Sequence, residues 1–289
     1  MKFRRTIAAL SAAALAATSL VACSSDSNDD DSNVIRIGTT DSAQLAWTTW
    51  VDLAAEKGIT VETENFSDYN TPNDALAQGQ IDANLFQHLR FLSEYNVGRG
   101  TDLAPVGSTE VVPLSLYWKD HDSLDGIEGE EIAVPNDDTN LSRALLALNS
   151  AGLVEFNNDD IEFPTIADID TDASKVSVVP VDAAQTSVAH GEGRPAIINN
   201  TFLLRNGIDP KSAIFSDDPE SDNAAPYINV LVTTSDRVDD EQLHTLIDLW
   251  HSPEVQEAVE EDSQGTSVEI QRSQEELQEI LDHLEESAS

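Results

Sequence analysis

The chain holds one cysteine among 289 residues, and it stands at position 23. An internal disulfide is therefore excluded, and a lone thiol in a secreted protein needs another explanation. Basic residues are scarce too: 15 Lys and Arg face 54 Asp and Glu, a formal charge of −39 at pH 7. A field of that sign repels nucleic acid and anionic lipid, so no nucleic-acid partner is expected. Catalytic signatures are missing as well. The six histidines are scattered, and no HExxH, GxSxG or P-loop run occurs. Neither an enzyme, a cofactor nor a metal site is expected, since only His88 falls near the residues that read as a pocket.

What is present begins with an address. Lys2, Arg4 and Arg5 precede an Ala- and Leu-rich apolar run at 7–22, short of the ~20 residues that a membrane span needs. Leu20-Val21-Ala22-Cys23 then reads as a lipobox. A signal peptide is expected at 1–22, with Cys23 diacylated and the mature chain held on the outer face of the cytoplasmic membrane; two acyl chains suffice for stable anchoring. This also explains the single cysteine. Residues 24–33 contain nothing apolar, so an acidic, solvated tether is expected over 23–33. Its Asp residues lack the glycine turn and trailing Glu of a calcium loop.

The body alternates strand-like and helix-like segments. Strands are expected at 34–38, 61–66, 81–86 and 103–107, with helices at 45–56, 72–78 and 89–97. That order predicts βαβ units and a mostly parallel sheet. The long apolar run 111–118 reads as a crossing into a second unit, with strands at 131–135, 175–181 and 196–199 and helices at 141–151 and 183–190. Residues 227–232 read as the return crossing. Helices follow at 239–250 and 253–261. An acidic amphipathic helix at 273–286 closes the chain, with Leu277, Ile280, Leu281 and Leu284 at helical spacing. The expectation is a two-lobed α/β protein joined by two crossing strands, with lobe 1 at 34–111 and 231–289 and lobe 2 at 112–230.

The stretch 66–91, FSDYNTPNDALAQGQIDANLFQHLRF, puts Tyr69 on a loop, Phe86 and His88 at a strand exit, and Phe91 just beyond. Aromatic faces then gather at the carboxyl edge of a sheet, where open α/β sheets bind ligands. Such a stripe is otherwise core, and a lone histidine is otherwise a satisfied one. The run 135–140, PNDDTN, ends a strand and opens a helix, with Thr139 or Asn140 as its cap. Free backbone N–H groups there favour an anion. Arg143, expected in the first turn, carries a planar fork that can hold a carboxylate bidentately. A structural ion pair with one of the many acids is the equal alternative. Asn199 ends a buried strand and Asn229 lies within the return crossing. Buried amides are costly unless satisfied, either by capping backbone or by holding a ligand.

Five motifs then come in register: FSDYNTPNDAL, GQIDANLFQH, AVPNDDTN followed by Arg143, AIINNTF and APYINVLV. In order and spacing they span residues 34–270. They resemble the MetQ/NlpA family of methionine-binding lipoproteins, the extracytoplasmic receptors of methionine ABC importers. The resemblance implies a periplasmic-binding-protein-like fold that closes on L-methionine or a related amino acid. It implies partnership with an ABC permease and ATPase complex, and a membrane association through the lipid anchor. It also implies that Tyr69, Phe86, His88 and Phe91 line one end of the ligand site. Arg143 would hold the carboxylate beside Asn140, and Asn199 and Asn229 would hold the ammonium or carboxylate. The sequence departs from the family at Phe91 and Phe202, where tyrosine is usual, and at Ser142, where glycine is common. The segment 182–191 lacks the usual Pro-Arg-Ser pattern. With those hydroxyls gone, a methionine derivative or Met-containing dipeptide stays open as the ligand.

Overall fold

The computed structural model describes residues 33–158 and 161–288. The expected signal peptide at 1–22, the lipidation at Cys23 and the tether up to residue 32 lie outside the described residues.

The first half of the body builds β1 (Val34–Thr39), α1 (Leu45–Glu56), β2 (Thr60–Asn65), α2 (Pro72–Ala77), β3 (Ala83–His88), α3 (Leu89–Arg99) and β4 (Leu103–Val111). The chain then passes to β5 (Ser115–Tyr117), β6 (Glu131–Pro135), α4 (Asp138–Ser150), β7 (Ser177–Val181), α5 (Ala183–Gly191), β8 (Ala196–Ile198), α6 (Asn200–Arg205) and β9 (Phe215–Ser216). It returns through β10 (Ile228–Thr234), α7 (Glu241–Trp250), α8 (Pro253–Ser263), β11 (Val268–Glu269) and α9 (Gln274–Ala288). Two sheets result. The first has the order β11-β4-β10-β3-β1-β2 and the second β7-β6-β8-β5-β9. Each has a parallel centre, β3-β1-β2 and β7-β6-β8, with antiparallel strands added on one side.

The first sheet is covered on both faces, which strand β10 shows residue by residue. Leu231 packs into one core while Val230 and Val232 pack into the other, the period-two alternation of a strand buried on both sides. On one face, Trp47 and Trp50 of α1 and Trp250 of α7 meet edge to face, with centroids 5.1 and 5.5 Å apart. The Trp50 indole N–H donates to the Leu246 carbonyl at 2.7 Å, so its polar end is satisfied as a buried indole requires. On the other face, Leu277, Leu281 and Leu284 of α9 are buried in the core that holds Leu89 and Leu92 of α3. Each such leucine contributes about 1.5–3 kcal/mol of burial. The amphipathic terminal helix expected from sequence is thus a core-forming element. Gly107 on β4 is required by this packing: a Cβ there would lie 2.6 Å from Cγ2 of Ile247 on α7.

Two sequence expectations change. The run 111–118 is not one strand: β4 ends at Val111 and β5 begins at Ser115. Pro113, which has no N–H to give a ladder, sits in the gap. The return segment is no spanning strand either. All of β10 belongs to the first sheet, paired antiparallel with β3 and β4, so the chain returns over residues 217–227 and the first sheet resumes at 228 rather than 231. An apolar run tells that a strand is buried, not which sheet buries it. Among the described residues no helix is long and apolar enough to cross a membrane, and no three His, Cys, Asp or Glu side chains are placed to share a metal ion.

Candidate functional site

The carboxyl ends of β1 and β3 and the starts of α4 and α6 face one cavity of about 110 Å³. All eight residues singled out from sequence line it: Tyr69, Phe86, His88, Phe91, Asn140, Arg143, Asn199 and Asn229.

One end is an aromatic cage. Tyr69 comes from the loop before α2, Phe86 from β3 and Phe91 from the first turn of α3. Their ring centroids are 5.7–6.2 Å apart in tilted or edge-to-face pairs. Phe202 of α6 does not line the cavity but backs Tyr69 from the core of the second sheet, with ring centroids 5.4 Å apart. Burial, followed by the nearby Asp41 carboxylate, pushes the Tyr69 phenol up, so it stays neutral.

His88 ends β3 and caps α3: its Nδ1 accepts from the Phe91 backbone N–H at 3.1 Å. That bond requires an unprotonated Nδ1, so the proton resides on Nε2. Burial, then the charge of Arg143, lowers its pKa to about 3; the Asn140 side chain opposes this and is outweighed. His88 is therefore a neutral ring presenting an Nε2–H donor, which is buried without a well-formed hydrogen bond.

The polar end is set by the start of α4. The cap is Asp137, not Thr139 or Asn140: its Oδ1 accepts from the Asn140 backbone N–H at 2.9 Å, the Asn140 amide at 2.8 Å and the Thr139 hydroxyl at 3.0 Å. A short carboxylate one residue ahead of the helix reaches the third N–H, the usual capping geometry. The helix end thus presents the chain's own carboxylate where the sequence suggested a site for a foreign anion. Because α4 begins at Asp138, Arg143 lies in its second turn rather than the first. The network runs on across α6, with the Asn199 amide donating to Asn140 Oδ1 at 2.9 Å. It leaves two buried acceptors without donors, Asn199 Oδ1 and Asp137 Oδ2. Burial raises the pKa of Asp137, its hydrogen bonds notwithstanding.

Arg143 is 6% exposed. Its Nε donates to Asp217 Oδ2 at 2.6 Å, its Nη2 to the Val112 carbonyl at 2.9 Å, and its guanidinium carbon lies 4.2 Å from the Tyr227 ring centroid. The structural ion pair weighed from sequence is therefore present. It uses Nε, while Arg143 also lines the cavity.

Sequence reasoning missed the rest of the lining, including Asp41, Gln44, Trp47, Glu110, Thr201 and Trp250. Asp41 accepts from Gln44 and Thr40 at 2.9 Å and, across from α6, from the Thr201 hydroxyl at 3.0 Å. Arg205 reinforces that junction by donating to the carbonyls of Ser67, Phe66 and Thr40. Glu110 accepts from the Trp250 indole at 3.1 Å, and burial pushes its pKa up to about 7. Asp41 had a usable signal, since it follows β1 at the same sheet edge as His88. Glu110 had another, as the one charged residue of its strand.

A cavity at the carboxyl edge of one open α/β sheet, covered by a second such sheet, with converging donors and acceptors at one end and an aromatic cage at the other, defines a solute-binding protein of the two-lobed, periplasmic-binding-protein-like class. The NlpA lipoprotein family profile matches residues 35–271, and the chain belongs to that family. It is 36% identical over 244 residues to the D-methionine-binding lipoprotein MetQ of Escherichia coli K12, covering 82% of this chain and 89% of that one. Among solved structures, it superposes on the substrate-binding protein of a methionine transporter from Streptococcus pneumoniae with a TM-score of 0.75 at 31% identity, covering 82% of this chain and 96% of that one. A nutrient-binding protein from Burkholderia cenocepacia bound to methionine gives 0.74 at 31% identity, covering 81% and 99%. All three relatives are named as binding proteins, the one from Streptococcus pneumoniae as the substrate-binding protein of a transporter.

Proposed function

We propose that this chain is the lipid-anchored substrate-binding protein of an ABC importer, that it binds methionine between the two sheets, and that it delivers it to the permease. One observation carries the ligand reading. At the polar end of the cavity an acceptor on Asn199 and a donor on His88 are buried without partners, beside the Arg143 guanidinium, which also lines it. Leaving such groups buried without partners is costly, and a zwitterionic amino acid satisfies both sets at once. Its carboxylate is assigned to Arg143 and His88. Its ammonium is assigned to Asn199, with Asn140 orienting Asn199 and with Asn229 on the adjoining wall. The side chain points into the cage of Tyr69, Phe86 and Phe91, where a thioether gains ~0.3–1.5 kcal/mol per aromatic contact. The relatives named for methionine support the same ligand.

A second reading has its own observation. The carboxylates of Asp41 and Glu110 share the cavity wall, which suits a ligand whose cationic group lies farther from its carboxylate, such as a Met-containing dipeptide or a methionine derivative. Isothermal titration of the purified protein with L-methionine, D-methionine, leucine and glycyl-methionine separates the readings. Saturable 1:1 binding of a free methionine is the expected result. Heat from the dipeptide alone supports the second reading, and no heat from any methionine compound refutes both. Mass spectrometry of the mature N-terminus tests the anchor, with a diacylated Cys23 expected.

A further inference from the structure

The groups that fix Arg143 share a property that no cavity residue explains: every one of them belongs to a segment joining the two sheets. Val112 lies between β4 and β5, while Asp217 and Tyr227 bound the return from β9 to β10. Asp217 also ties the two segments to each other. Its Oδ1 accepts from the Leu114 N–H at 2.8 Å, and its own N–H donates to the Leu114 carbonyl at 3.2 Å. It does not itself line the cavity.

We propose that Asp217 is the positioning residue for carboxylate recognition, aiming Arg143 and setting that aim jointly with the geometry of the crossings. The inference rests on Arg143 being the partner of the ligand carboxylate. A guanidinium has five N–H donors in a rigid plane. Holding Nε on Asp217 and one Nη2 hydrogen on Val112 leaves that plane one orientation, in which Nη1 is the group assigned to the carboxylate. Because the other oxygen of Asp217 holds Leu114, a change in how the crossings lie moves the guanidinium with them, and a ligand that engages Arg143 favours one arrangement of the crossings. Asparagine at 217 breaks this logic chemically. Its single carbonyl oxygen can serve the Leu114 N–H or the Arg143 Nε–H, and the other donor then faces an N–H group.

The test compares two ligands that differ at the carboxylate. Full-length protein in detergent is titrated with L-methionine and with L-methioninamide, for the wild type, Asp217→Asn and Asp217→Glu. Asp217→Asn is expected to weaken L-methionine by about tenfold or more while changing L-methioninamide less than about twofold, as for a lost charge-assisted orientation worth one decade of affinity. Asp217→Glu keeps the charge but moves it by one methylene, and is expected to show the same selectivity at smaller size. It carries the comparison alone if circular dichroism shows the Asn variant unfolded. Equal losses for both ligands would show a general structural role and overturn the proposal, as would no loss at all. A wild type that binds no carboxylate-bearing ligand refutes the assignment of Arg143 itself, a failure visible before any variant is compared.

Discussion

Replacing Arg143 with alanine removes the ion pair to Asp217, the bond to the Val112 carbonyl and the stacking on Tyr227, together with the proposed contact to the ligand. The consequences divide between binding and folding. A ligand carboxylate left in a cavity without its cation loses ~2–5 kcal/mol, the range for truncated buried charge pairs, or about 30-fold to several thousandfold in Kd. Folding suffers less. Asp217 keeps its bond to the Leu114 N–H and is itself 22% exposed, so water restores much of what its carboxylate loses, and a cost of about 1–3 kcal/mol is expected. Phe86→Leu supplies the contrast: it keeps most of the apolar volume in the cage and is expected to cost about 1–2 kcal/mol of binding. The assay is calorimetric titration of each variant with L-methionine, after circular dichroism confirms a folded chain. An Arg143→Ala protein that binds like the wild type would place the carboxylate site elsewhere and refute the assignment of the polar end.

Glu110 has its folded-state pKa raised from the ordinary 4.5 to about 7, by burial first and then by Asp41 and Glu269. Its protonation therefore favours the folded state below pH 4.5, and that advantage is lost as pH rises through 7; Glu110→Gln is expected to leave the unfolding free energy unchanged near pH 4 and raise it at pH 8 by an amount on the order of 2–3 kcal/mol, and equal denaturant midpoints of the two proteins at pH 8 would contradict it. Gly107→Ala forces a Cβ to within 2.6 Å of Ile247 and is expected to destabilise by about 1–3 kcal/mol, with partial rescue by Ile247→Ala; unchanged denaturant midpoints would show that α7 can shift freely. Two sheets linked by two short crossings permit rigid-body closure, so small-angle scattering is expected to show compaction on adding L-methionine to ligand-stripped protein, and superimposable curves at saturation would count against closure.

The eight cavity residues were legible because each sits beside a local signal with a physical cause. A proline-opened helix, a strand leaving a sheet at Phe86 and His88, and a polar turn before α4 are short-range features, and the sheet-edge rule converts them into a place. What stayed hidden depends on partners far along the chain. Asp217 lies 74 residues from Arg143, and in a sequence with 54 acids nothing local distinguishes it from the solvated ones. Glu110 and Trp250 are 140 residues apart and meet only through the stacking of α7 on β4. The position of β10 failed for a related reason: alternating Val and Leu specify a strand with two buried faces, and only its pairing with β3 and β4, Asn229 opposite His88 among the pairs, assigns it to the first sheet. That same pairing sets Asn229 beside the histidine whose ring carries the unpaired donor. A residue read from sequence as part of a crossing thus belongs to the cavity wall because it lies in a central strand of the first sheet, and a register slip of one residue in β10 would turn its side chain away from the cavity.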